Sequence, residues 1–385
     1  MLKKLIVIMA VLALVAGTAF AQATFGGQLQ LGIDLLKGSN VGDVPVKSGA
    51  SYSDGPYHEA KYSVVFGDGK ANGRLVLLAK GDYWGWLKWR PNEHVQLKLG
   101  KDGDGEFGFP QIVGWGFTGE AKNSVAAVND YNGRLSMKNR GGTGGYGGFD
   151  GSAGFSFIAA FWPVDMLQVY IGFPGIDNEA EITERLAKAH LGLKFDIEEV
   201  GTIRFAAVGA GALAKDAPAG SAGTLHLTFY SNKLVQGFAF EVGTQIPLPY
   251  NDDNDNMIQS PLDAGFGINL TSTDPFSLKV RANANFGGKN AAGVESDPVI
   301  GIGVLPSYKL PKMTIFFHAG LGYMITDNEN IMSLDWFINP YIWVPMGGMR
   351  MWVGIQVINA YNPANSASQK GQIDWKLPFG FNFYF

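Results

Sequence analysis

The chain contains no cysteine at all. Exported compartments permit disulfides, so this fold is held without them, and thiol chemistry is excluded. Past residue 21 there is also no apolar run approaching the ~18 uninterrupted residues of a membrane helix. The nearest, FSFIAAFW at 155–162, alternates at first and then stops at Pro163. Histidine is scarce. His58, His94, His190, His226 and His318 are scattered without the paired spacing of a metal site. No nucleophile elbow is present. The Gly-rich stretches GKDGDGEFG (100–108) and TGGYGGFDG (143–151) are not followed by a helix that would cradle phosphate. The loop NDDNDN (251–256) lacks the glycine and distal Glu of an EF-hand, and reads as a solvated loop. No enzyme activity, cofactor or metal is therefore expected. Thirty Lys and Arg against 34 Asp and Glu, a formal charge of −4, leave no basic footprint for nucleic acid.

What the chain does have is glycine, 53 residues of it, with 13% aromatics and a mean hydropathy near zero. That balance suits a wall with one lipid face and one wet face, whose contributions cancel in the average. The last stretch, QIDWKLPFGFNFYF, shows the pattern most clearly. Ile373, Trp375, Leu377, Phe379, Phe381, Phe383 and Phe385 fall on one face, and Asp374, Lys376, Pro378, Gly380, Asn382 and Tyr384 on the other. Period-two alternation of this length marks a strand with one apolar and one polar face.

At the other end, Lys3 and Lys4 precede the apolar run Leu5 to Val15, and small residues lead to Ala19-Phe20-Ala21. This is the layout of a secretory signal, which predicts cleavage after Ala21 and an exported protein. The remainder, 22–385, reads as one domain without linkers. It is a series of hairpins in which short turns alternate with longer polar loops. The count is about 18 strands, with 16 as the alternative. Phe25 to Leu36 is the first, with Phe25, Leu29, Leu31, Ile33 and Leu35 on one side. YWGWLKWR at 83–90 and VQLKLGK at 95–101 pair through Pro91 to His94. Later hairpins pair Leu225–Tyr230 with Phe238–Ile246, Asp263–Leu270 with Phe276–Asn285, and Val299–Leu305 with Met313–Ile325. NEAEITERLAKA (178–189) is the one helix-like piece, with i,i+4 charge pairs. Residues 102–150 break the rhythm, a length that in a compact domain marks either a functional segment or a disordered, Gly-rich surface loop. Trp89, Trp162, Phe276, Tyr308, Tyr341 and Trp343 lie beside short turns, where an interfacial aromatic girdle is expected.

Only helices and closed barrels satisfy the backbone in lipid, so any span must be made of strands. The fold expected is all-β, a transmembrane antiparallel up-and-down barrel. The final strand, ending in Phe381, Phe383 and Phe385, resembles the closing strand of bacterial outer-membrane barrels. In that family the terminal aromatics are the assembly signal read by the barrel assembly machinery. The architecture as a whole resembles the general porins. The resemblance implies a water-filled channel in the bacterial outer membrane for diffusion of small hydrophilic solutes and ions, in contact with outer-membrane lipid and in some cases homotrimeric. It also implies that the third outer loop, here 102–150, folds into the lumen. Porins carry Pro-Glu-Phe-Gly-Gly in that loop. Here Glu106-Phe107-Gly108 match its middle three residues, the Pro is missing and Phe109 replaces Gly. Candidate constriction residues are Asp102, Asp104, Glu106, Glu120, Arg134, Lys138 and Arg140. Two other readings stay open: a surface adhesin barrel, and a transporter of hydrophobic compounds. The Asn-Pro-Ala triplet of the fatty-acid transporters occurs only at 362–364, in a late loop, and does not map to a hatch.

Overall fold

The structure is a computed structural model. It describes residues 23–40, 59–67, 70–78, 83–101, 156–173, 189–208, 224–247, 250–251, 257–258, 263–270, 274–285, 288–289, 295–296, 298–325, 334–359 and 373–384. The strands run in chain order. The first five are β1 (Thr24–Ser39), β2 (Glu59–Gly67), β3 (Ala71–Leu78), β4 (Tyr83–Asn92) and β5 (Val95–Lys101). After the long connection come β6 (Ser156–Val164), β7 (Leu167–Phe173), β8 (His190–Ile197), β9 (Gly201–Val208), β10 (Thr224–Ser231) and β11 (Phe238–Pro247). A two-residue hairpin, β12 (Tyr250–Asn251) with β13 (Met257–Ile258), precedes β14 (Asp263–Leu270) and β15 (Phe276–Asn285). A second, β16 (Gly288–Lys289) with β17 (Glu295–Ser296), precedes β18 (Val299–Leu310) and β19 (Met313–Met324). The last are β20 (Leu334–Met346), β21 (Met349–Gly354), β22 (Gln356–Asn359) and β23 (Asp374–Tyr384).

Every pairing is antiparallel and, once β21 and β22 are taken as one strand, joins each strand of the main sheet to its neighbours in sequence, with one exception. β1 pairs with β2 on one side and with β23 on the other, from Gln28↔Tyr384 to Ser39↔Asp374. Among the described residues the ladder thus returns to its first strand, so β1 is paired on both sides.

β21 and β22 are one strand in all but hydrogen bonding. Both keep the same register against β20 (Tyr341↔Gly354, Ile338↔Val357) and against β23 (Val353↔Phe379, Gln356↔Lys376). The gap falls at Ile355, whose N–H donates to the Pro340 carbonyl at 2.9 Å. Proline has no N–H to return that bond, and Pro378 cannot donate on the other side. With these two counted as one, the main sheet's 19 segments form 18 positions among the described residues.

Three ladders shift register. In β1 the shift lies between Asp34 and Leu36. It moves Leu36, not Leu35, opposite Leu377, so the unbroken alternation expected through Leu35 ends at a bulge. The other two shifts lie at Pro91 and Pro163, between Trp89 and Asn92 and between Phe161 and Val164. Strand β18 continues five residues beyond the Leu305 expected from alternation, and turns at Pro311-Lys312. Pro306 on β18 faces β15 opposite Leu278 in an otherwise continuous register. The 102–150 stretch and the helix-like 178–189, apart from Ala189, lie outside the described residues.

Candidate functional site: the inner wall of the barrel

A strand in a closed sheet presents alternate side chains to the concave and the convex surface. Curvature crowds the concave side, so the less accessible face is the inner one. In this protein that face is polar. Lys98, Gln168, His190, Arg204, Thr228, Glu241, His318, Asn339, Gln356 and Asn382 are all buried. The alternate positions expose apolar groups: Leu227 is 49% exposed, Leu321 44%, Phe317 44% and Ile302 41%. A water-soluble sandwich would show the reverse. The outer surface is a belt of Leu, Ile, Val and Phe, as a lipid-facing band requires.

Among the described side chains, the inner wall carries more bases than acids. On β3, β4 and β5 stand Arg74, Lys88 and Lys98; on β8 and β9 stand Lys194 and Arg204. Register places Lys88 directly opposite Lys98, and Lys194 directly opposite Arg204. Like charges opposed across a ladder cost stability. Local contacts offset part of that cost. Trp86, on the same face, lies 5.4 Å from Lys88 Nζ and 4.9 Å from Lys98 Nζ by ring centroid. Lys194 Nζ lies 2.9 Å from Asp196, two residues on along the same face. Lys279, Arg350 and Lys376 add further bases on β15, β21 and β23. Against them, the acids on inward positions of the described strand side chains are Asp196 and Glu241.

A second inward feature is aromatic. Phe316 of β19 stacks on Tyr341 of β20, with centroids 4.7 Å apart and planes 9° apart, and lies 4.6 Å from Trp343. The Arg350 guanidinium sits 4.2 Å from the Trp343 ring and 5.9 Å from Tyr384. Trp352, directly opposite Trp343 in register, is fully buried beside it.

These positions correct the girdle expectation in part. Trp89, Phe276 and Tyr308 do face outward beside short turns and are exposed. Trp162, Tyr341 and Trp343 point inward. Trp162 packs on the cluster of Ala160, Tyr170 and Ala206, under the Arg90 guanidinium at 4.9 Å. Nearness to a turn fixes depth along a strand but not which face a residue takes. Parity relative to the register decides that.

Among the residues singled out from sequence, Phe381 and Phe383 lie outward on β23. They face Leu31 and Leu29 of β1 on one side, and Met351 and Met349 of β21 on the other. With Phe379 they form an aromatic row, at centroid separations of 5.0 and 6.1 Å. Phe385 lies outside the described residues, as do all the constriction candidates: Asp102, Asp104, Glu106, Glu120, Arg134, Lys138 and Arg140. The basic wall was missed from sequence, although parity within YWGWLKWR already puts Trp86, Lys88 and Arg90 on one face.

No protein-family model matches the chain, and no curated protein matches it. Solved structures do. OpdL from Pseudomonas aeruginosa is similar with a TM-score of 0.53 at 9% identity, covering 95% of this chain and 99% of that one. OpdK from Pseudomonas aeruginosa with vanillate gives 0.51 at 8% over 95% and 99%. The anion-selective porin from Comamonas acidovorans gives 0.50 at 8% over 94% and 99%. At such identity the likeness is one of fold: the chain has the antiparallel barrel architecture of outer-membrane porins.

Proposed function

We propose that the protein is a porin of the bacterial outer membrane, a water-filled channel through which small hydrophilic solutes and ions diffuse. The observation that carries this reading is the inverted burial, polar and charged within, apolar and exposed without, on a ladder that returns to its first strand. A barrel of this strand number is too wide for side chains to fill. The likeness in fold to the vanillate-bound and anion-selective porins supports the same reading.

In this reading residues 1–21 are a signal removed on export, and 22–385 form a single barrel. The short-turn end faces the periplasm, the long connections face outward, and 102–150 narrows the lumen. The barrel assembly machinery inserts the chain through its last strand.

Planar-bilayer recording tests the function. Purified protein should add stepwise, voltage-tolerant conductance, and steps grouped in threes would mark a trimer. A folded, heat-modifiable protein that adds no conductance would instead support the adhesin reading.

A further inference from the structure

Three strand prolines fall on or beside one line across the wall. The outward row in register runs through Pro306 on β18, Phe317 on β19, Pro340 on β20, Ile355 between β21 and β22, and Leu377 on β23. Pro378 stands one residue further along β23, opposite Gly354 on the inner face. A strand proline has no N–H to give to the ladder. Pro340 accepts from the Ile355 N–H at 2.9 Å and has no donor to return. On the other side of that strand, the Tyr384 N–H donates to the Gly348 carbonyl. Antiparallel bonding repeats at every second pair, which makes Gly354 and Pro378 a bonding pair that also lacks one donor. The β21–β22 strand thus lacks a strand donor on both sides, at the consecutive carbonyls of Gly354 and Ile355. The line ends in the β1 bulge between Asp34 and Leu36, beside Leu377 and Pro378.

Both faces of the wall are apolar here. Outside, Phe317, Leu35 and Leu36 are exposed, and Ile355 is 50% exposed. Inside, Phe316 stacks on Tyr341, and Gly354 and Pro378 follow in register. Gly354 puts no side chain between that stack and Pro378, and a Cβ there would fall 2.7 Å from the Tyr341 Cβ. One level further along, the inner row is polar instead: His318, Asn339, Gln356 and Lys376 are buried in register. A backbone carbonyl without a donor is costly beside hydrocarbon. The closed wall is therefore held less firmly along this line than at a fully bonded junction, and local opening costs less.

We infer that the wall opens sideways at β21–β22 and passes small uncharged aromatic solutes from the lumen into the surrounding lipid. The inner rings receive the solute and the proline line releases it. The inference goes beyond the porin reading and needs from it only an accessible lumen. Ions stay in the lumen, because hydrocarbon rejects charge.

The cysteine-free chain allows the wall to be stapled. Ile355→Cys with Leu377→Cys joins two outward positions that face each other as a non-hydrogen-bonded pair, close enough for a disulfide. Ala319→Cys with Ile338→Cys staples the neighbouring β19–β20 junction, whose bonding pairs contain no proline, as the control. Uptake of N-phenyl-1-naphthylamine, an uncharged aromatic that fluoresces once in lipid, is followed in cells carrying each variant. Planar-bilayer conductance is recorded on the same purified proteins. The first staple should slow uptake about threefold or more, with recovery on reduction and unchanged conductance. The control staple should change neither. Pro340→Val with Pro378→Thr, which returns both donors, should also slow uptake. Heat-modifiable migration checks that each variant is assembled. On the wild type in micelles, the amide hydrogens of 353–357 should exchange faster than those of 315–321, which decides even where no variant assembles. Three results overturn the inference and leave the porin standing: equal uptake with either staple, wild-type uptake no faster than in cells without the protein, or equal exchange in the two segments. Staple-sensitive uptake without conductance keeps the inference and overturns the porin.

Discussion

Trp352 and Gly380 lie directly opposite each other on β21 and β23, and the indole covers the place where a side chain at 380 would be. A Cβ there would collide with the Trp352 ring and with the Leu31 carbonyl of β1. The same device recurs in exact register elsewhere on the sheet. Phe337 covers Gly320, where an added Cβ would fall 2.6 Å from the ring. On the outer face Trp375 covers Gly38, and Phe66 covers Gly73. Covering a strand glycine with a cross-strand aromatic shields its backbone and fixes register. Abundant glycine and abundant aromatics are thus, at these sites, a single packing solution.

Gly380→Val should accordingly destabilise the seam between the first and last strands. Overpacking of this kind costs about 1–3 kcal/mol. The temperature at which the folded band converts to the unfolded band on a gel should fall. Gly380→Val with Trp352→Leu should recover part of the loss, and an unchanged transition in the single variant would refute the close packing.

Leu321 lies outward near the middle of β19, opposite Ile302 and Trp336. An arginine there must enter hydrocarbon, at a cost of about 2–4 kcal/mol near the bilayer midplane. Lys279→Gln, on the inner face, should cost far less. Equilibrium unfolding from lipid vesicles measures both, and equal losses would contradict the assignment of faces.

The outward row Phe379, Phe381 and Phe383 closes the seam against β1 and β21, and Phe385 follows it in sequence. Replacing Phe385 by Ser, or deleting it, should reduce assembled protein while leaving export intact. Phe381→Ser should reduce it further, because that ring also packs between Phe379 and Phe383. Immunoblots of outer-membrane and periplasmic fractions separate an assembly defect from a secretion defect. Normal assembly in all three variants would rule out the terminal signal.

Residues 102–150 provide the fourth expectation. If they narrow the lumen, excising most of them should raise single-channel conductance. Asp104→Asn with Glu106→Gln should shift selectivity away from cations, because charges in a narrow passage set ion preference more strongly than surface charges do. Conductance and reversal potential that both survive excision would place the loop outside the pore.

Strand type, antiparallel order and hairpin partners were legible because period-two alternation is a local property. A strand with one lipid face must write that face into every second residue, as 373–385 does. The pairings of Leu225–Tyr230 and Asp263–Leu270 with their successors follow from short turns alone. What alternation omits is parity across strands and around the ring. It could not say that Trp343 turns inward while Tyr308 turns outward, since both lie beside turns in aromatic-rich strands. Nor could it foresee that Lys88 meets Lys98 and Lys194 meets Arg204. Those relationships are set by register, by the bulges at Asp34, Pro91 and Pro163, and by the return of β23 to β1. The sequence by itself determined that this chain builds strands with one wet and one apolar face. Closure alone decided which side chains share the inner wall, because two residues far apart in sequence face each other only when the sheet between them has curved through half a turn.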